Sequence, residues 1–180
     1  MRKVITFALI LCVILCGCGQ KAPKLGPADV LDNDTGAVYH LGDQKAVFDE
    51  AFGSSVYNEY THAMDYLSKM LSVEFDEDGS AVRIEVDGGT NRFSFYGFDF
   101  SKSLADIKGR YKETVMAGSN AYSTYFSVDG KALDQKDAYL QERFIVHSLH
   151  VRTTDQEITG LKAGDYVFYS IEYRDGLSLP

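Results

Sequence analysis

Three cysteines, Cys12, Cys16 and Cys18, are the only thiols in the 180 residues, and they stand together near the N-terminus. A metal site needs three or four ligands, and no further cysteine lies downstream to complete one. A disulfide framework needs an even set spread along the fold. Neither chemistry fits this spacing. The four histidines are His40, His62, His147 and His150. His147 and His150 are three apart in a run that reads as strand, and odd spacing on a strand sends them to opposite faces. They cannot ligate one ion there. Asp32-Asn33-Asp34-Thr35-Gly36 has oxygens at alternate positions, as a calcium loop needs. Such a loop wants glycine sixth and a bidentate acid twelfth. Here Gly36 is fifth and the twelfth residue, Asp43, is wanted as a helix cap. Asp76-Glu77-Asp78-Gly79 reads as a turn between strands.

The common nucleophile signatures, Gly-x-Ser-x-Gly, Ser-x-x-Lys and His-Glu-x-x-His, do not occur. No glycine-rich phosphate loop is present. The acidic residues are plentiful, but nothing in their spacing gathers two of them in a cleft. The expectation is no catalytic residue, no metal site and no cofactor.

The cysteines make sense with what precedes them. Arg2 and Lys3 give a charged start, and Val4 to Leu15 is apolar except for Thr6 and Cys12. The run is shorter than the ~20 residues of a spanning helix. It has the layout of a secretory signal peptide. It ends at Leu15-Cys16-Gly17-Cys18, which resembles the lipobox of bacterial lipoproteins. The resemblance implies diacylglycerol on the Cys18 sulfur and cleavage between Gly17 and Cys18. Residues 1–17 are then the signal peptide, and the mature chain has no free thiol and no disulfide. Cysteine nucleophiles and thiol redox chemistry are excluded on that reading. The implied location is the extracytoplasmic face of a cell membrane. Gly19 is not the aspartate that holds lipoproteins at an inner membrane, which favours the outer membrane if the cell has two.

The chain has 18 basic and 26 acidic residues, net −8. Without Arg2 and Lys3 the balance is 16 to 26, net −10. Such a surface repels phosphate backbones, so nucleic acid is not an expected partner. It also repels anionic headgroups, which leaves anchoring to the acyl chains. Tyrosine and phenylalanine are abundant, at 12 and 11, as β-propensity alone would select.

These features need elements to position them. Residues 18–36 carry prolines, glycines and Asp/Asn without apolar periodicity, and read as a flexible tether. In Gly42 to Gly53, Asp43 is the expected N-cap of a helix ending at Phe52. Val47, Phe48, Ala51 and Phe52 form its apolar stripe, and Gly53 its C-terminal stop. Leu71, Val73 and Phe75, then Val82, Ile84 and Val86, alternate with polar residues around a turn. Met64 to Leu67 supplies a preceding strand. A second helix is expected from Ser101 or Ser103 to Tyr111, with Leu104, Ile107 and Tyr111 as its stripe. Strands follow at Tyr122 to Val128 and Phe144 to Val151, around Asp129-Gly130. "DYVFYSIEY" reads as a strand from its Val, Tyr, Phe and Ile content.

The two halves have similar order. Leu41 to Phe98 spans 57 positions and Phe98 to Leu161 spans 63, a drifting period near that of a diverged repeat. The expected class is α+β: two tandem units of a short helix followed by antiparallel strands, helices packed on one sheet face. The units are about 37–92 and 93–158, with a C-terminal strand, in one domain over 37–180. This pattern resembles the β-lactamase-inhibitor-like group and related small outer-membrane-assembly lipoproteins, through "LGD…AFG" and "LSVEFDEDGSAVRIEV". Fold likeness does not carry function. The functional expectation is a binding or interaction module in the cell envelope. Its partners are the membrane, through lipid on Cys18, and an envelope protein or peptide. The alternatives are a cell-wall hydrolase with unrecognised carboxylates and a structural spacer with no ligand.

Overall fold

The structure is a computed structural model and describes residues 23–88, 91–100, 112–116, 119–151 and 166–177. Two antiparallel sheets dominate it. The smaller contains β1 (Asp29–Asp32), β2 (Val38–His40), β7 (Phe93–Phe95) and β8 (Phe98–Asp99), in the order β2-β1-β7-β8. The larger has β3 (Val56–Asn58), β4 (Ala63–Tyr66), β5 (Leu71–Phe75), β6 (Ala81–Asp87), β9 (Lys112–Met116), β10 (Ser119–Ser127), β11 (Ala132–Leu133), β12 (Arg143–Val151) and β13 (Tyr166–Asp175). Its order is β11-β10-β12-β13-β6-β5-β4-β3, with β9 on β10.

The α+β expectation is therefore corrected. Among the described residues the only α-helices are α1 (Lys45–Phe52) and α2 (Gln135–Ala138). The described residues are mostly strand, arranged in the two sheets. Leu71, Val73, Ile84 and Val86, assigned to one unit, and Leu149 and Val151, assigned to the other, line the same face of one continuous sheet. The strand that joins them is β13, which pairs with β12 on one side and β6 on the other. The expected second helix lies outside the described residues.

The predicted strand at the C-terminus is present, and it is central to the large sheet. Tyr169 and Ile171 point from it into the core and are fully buried. The small sheet covers this face: Phe95 and Phe98 lie 4.3 and 4.1 Å from Tyr169 between ring centroids, the latter pair stacked. Rings of this size dominate burial energy, and stacked pairs add about 0.5–1.5 kcal/mol beyond area.

The helix α1 also packs on this core, but its stripe is narrower than expected. Phe48 is buried and Phe52 half-buried, whereas Val47 and Ala51 are exposed. Asp43 is not its cap; Gln44 precedes the first turn, and Asp43 instead accepts the His40 amide at 2.7 Å. Gly53 ends the helix with φ +78°, as the sequence predicts. Tyr66 Oη donates to Asp49 at 2.8 Å and ties α1 to β4. Burial, then the Asp49 carboxylate, pushes the Tyr66 hydroxyl up to about 12.

The β5–β6 hairpin forms around Asp76–Gly79, with one departure. Phe75 pairs with Ala81, not Val82, because the register shifts after Glu74. Ala81 is buried in the place expected for Val82. Such a bulge adds one residue to a strand and breaks alternation there.

The tether expectation over 18–36 is also corrected for its described part. Asp29–Asp32 is strand β1, sandwiched between β2 and β7. The turn Asn33–Gly36 closes the β1–β2 hairpin, with Gly36 at φ +76°. Three polar residues and a glycine give that turn a loop-like composition.

Candidate binding face on the large sheet

The alternation that buries one face of the large sheet presents the other as rows of cross-strand neighbours. One row contains a residue from each of six strands: Asp65, Ser72, Glu85, Ser170, Ser148 and Ser123. The three serines at its far end are buried, and Ser123 Oγ meets Ser148 Oγ at 3.2 Å. At the near end Asp65 accepts from Ser72 Oγ at 2.6 Å and from Asn58 Nδ2 at 3.1 Å. The adjacent row is Glu74, Arg83 and Glu172.

Arg83 stands at the centre of this charged half. Its Nη2 pairs with Glu85, and its Nε lies 3.9 Å from Glu172 Oε2, beyond hydrogen-bond reach. Arg83 Nε is buried with no hydrogen-bond partner. Arg174 pairs with Glu172 from the next position on that face. His150 completes the set, its ring stacked on Phe168 at 4.0 Å.

The electrostatics follow from partial burial. Burial pushes the Glu85 carboxyl up, the neighbouring Arg83 opposes this, and the net direction is upward. Burial pushes the His150 imidazole down, Arg83 pushes it further and Glu172 opposes both. The imidazole is therefore held neutral at pH 7. A donor-rich guanidinium between two carboxylates, beside a neutral imidazole, can recognise a polar or charged group. The space beside Arg83, lined by Thr61, Ala63, Ser72, Glu74 and Glu85, is only about 10 Å³. It does not enclose a substrate.

The sequence-flagged residues fall into three groups. Gly17 and Cys18, the cleavage and lipidation residues, lie outside the described residues. His147 and His150 do point to opposite faces, as their spacing demands. His147 faces the core, fully buried, with Nε2 donating to the Pro27 carbonyl at 2.6 Å and Nδ1 2.8 Å from Tyr169 Oη. The carbonyl can only accept, so Nε2 carries a proton. His40 meets Asp29 at 2.7 Å on the surface, and His62 meets Tyr57 Oη at 3.1 Å. In the acidic turns Asp76 Oδ1 accepts the Asp78 and Ser80 amides, and Asp32 accepts from the Asp34 amide and the Arg92 guanidinium. Among the described residues no group of three or more His, Cys, Asp and Glu is placed to hold a metal.

Sequence reasoning places Arg83 and Glu85 on the charged, exposed face of a sheet, the likeliest working surface, but singles out none of Arg83, Glu85, Glu172 and Arg174 as a site residue. Their signal is present as period-two alternation at 83 and 85 and at 170, 172 and 174. What the sequence lacks is the pairing of β6 with β13, whose partnered residues lie 81 to 89 positions apart. No protein-family model, no curated protein and no solved structure matches the chain.

Proposed function

We propose that the protein is a lipid-anchored extracytoplasmic module that acts by binding an envelope protein or peptide through the charged half of the large sheet's outer face. The location rests on Leu15-Cys16-Gly17-Cys18 after a charged and then apolar start. The binding part rests on one observation above others: Arg83 Nε is buried without a hydrogen-bond partner between Glu85 and Glu172. A buried N–H left unpaired costs about 1–3 kcal/mol, which an incoming acceptor would recover. Binding is favoured over turnover because the space there is too small for an enclosed substrate.

The test is crosslinking of the full-length protein in its native envelope, followed by recovery and identification of the partner. The reading expects one stoichiometric partner, lost on Arg83→Gln and retained on Arg143→Gln. Recovery of the same partner from both variants sinks the assignment of this face. Turnover of a wall substrate by the purified protein, abolished by Glu85→Gln, would favour the hydrolase.

A further inference from the structure

Eight large apolar side chains are exposed among the described residues, and three of them cluster. Val128, Leu140 and Leu177, at 59, 57 and 67% exposure, line one open groove of about 860 Å³ together with Glu142, Arg143 and Asp175. Their positions come from three separate elements. Val128 follows β10, Leu140 follows α2, and Leu177 follows β13. The backbone holds them together: the Leu177 amide donates to the Tyr139 carbonyl and the Gly176 amide to the Glu142 carbonyl, both at 3.0 Å.

The chain enters the domain beside this groove. Pro27 packs against the β10–β11 turn so closely that a Cβ added to Gly130 would lie 3.4 Å from Pro27 Cδ. Gly130 is two residues from Val128. His147 Nε2 fixes the same Pro27 from beneath. Pro27 stands nine positions after Cys18. Those steps reach about 31 Å at full extension. A domain of this length has a radius of gyration of about 15 Å, hence a diameter near 40 Å. A leash shorter than the domain it holds turns the end that carries its root toward the anchor.

We infer that Val128, Leu140 and Leu177 form a membrane-docking face, which rests against the lipid bilayer when Cys18 is acylated. The inference depends on the lipoprotein reading above and adds an orientation to it. The second exposed apolar group, Val56, Tyr57 and Tyr60, lies at β3 and the turn after it. From β10 to β3 is six strand spacings, or about 29 Å. The orientation leaves that edge, and the Arg83 face, available to partners.

The mature chain makes a clean test, because an acylated Cys18 leaves no other thiol. Full-length lipidated protein carrying Leu140→Cys, Leu177→Cys, Tyr60→Cys or Met70→Cys, each labelled with a fluorophore, is reconstituted into phosphatidylcholine vesicles containing doxyl-labelled acyl chains. Docking predicts quenching at 140 and 177 at least about twofold stronger than at 60 and 70, because docked apolar groups sit ~5–10 Å into the interface. Equal quenching at all four, or stronger quenching at 60 or 70, overturns the docking face while leaving the anchor intact. Mass spectrometry of the same preparations separates the two failures: an N-terminus without lipid on Cys18 overturns the anchor and the docking face together.

Discussion

Arg92 and Asp32, sixty positions apart, form a two-pronged ion pair that fastens β7 to the end of β1. Arg92 Nη2 donates to Asp32 Oδ2 at 2.8 Å and Nε to Oδ1 at 3.2 Å. Asp32 is fully buried, and the guanidinium lies over the rings of Phe52 and Phe93 at 5.6 and 5.5 Å. Burial alone would raise the Asp32 pKa; the hydrogen bonds from Arg92 and the Asp34 amide, with the Arg92 charge, outweigh it and hold it low. Removing Arg92 strands a buried carboxylate. Arg92→Ala should lower stability by about 2–3 kcal/mol, read as a shifted denaturant midpoint.

The same pair sets a pH dependence. A carboxyl with a lowered folded pKa stabilises fully above its unfolded value and loses that contribution as pH falls through the folded value. Stability of the wild-type domain should therefore drop on acidification below about pH 4. In Asp32→Asn the acid-dependent loss should be smaller, although stability at pH 7 is lower throughout. Parallel acid profiles for the two proteins would rule the pair out as a source of the loss.

How far this architecture is readable is clearest at two strands. β5 announces itself because Leu71 and Val73 alternate with Ser72 and Glu74, and the pattern needs only local sequence. β13 also reads as a strand, from its Val, Tyr, Phe and Ile content. Its place between β12 and β6 is not readable, because register with strands far away in sequence leaves no local mark. That pairing places residues of both expected units in one sheet and creates the Arg83–Glu172 contact. The β1–β2 hairpin escapes notice for the opposite reason. Its turn composition masks two short strands, and the buried acid in it gains meaning only from Arg92.

His150 offers a direct view of the charged face. Its imidazole should titrate below the ordinary 6.5 in an NMR titration, through burial first and Arg83 second. Arg83→Gln should raise the midpoint, and Glu172→Gln should lower it further. A midpoint at or above 6.5 in the wild type contradicts this electrostatic picture.

Gly176 is required by close approach. A Cβ there would overlap the Gln141 carbonyl oxygen and sit 3.0 Å from the Tyr139 carbonyl oxygen. Both contacts are backbone, so neither can swing aside. Gly176→Ala should free the residues after β13 from the 139–142 segment. Faster hydrogen exchange at the Gly176 and Leu177 positions is the expected result, with the strand amides of β13 unchanged. Unaltered exchange at both positions would show that the approach is looser than described.

Tyr169 joins both sheets to the entry segment through His147. Tyr169→Phe keeps the stacked ring on Phe98 but removes the hydroxyl 2.8 Å from His147 Nδ1. The expected cost is about 1–2 kcal/mol in thermal or chemical unfolding. A neutral result would mean that the hydroxyl contributes nothing to holding the imidazole.

The central claim is that this domain works at a membrane through lipid on Cys18, and intact-mass and peptide mass spectrometry of the native N-terminus tests it most directly. The account predicts a chain that begins at Cys18 and carries a diacylglycerol-modified sulfur. It also predicts that Cys18→Ala accumulates as an unprocessed precursor. A native protein that begins elsewhere, soluble and without lipid, contradicts it.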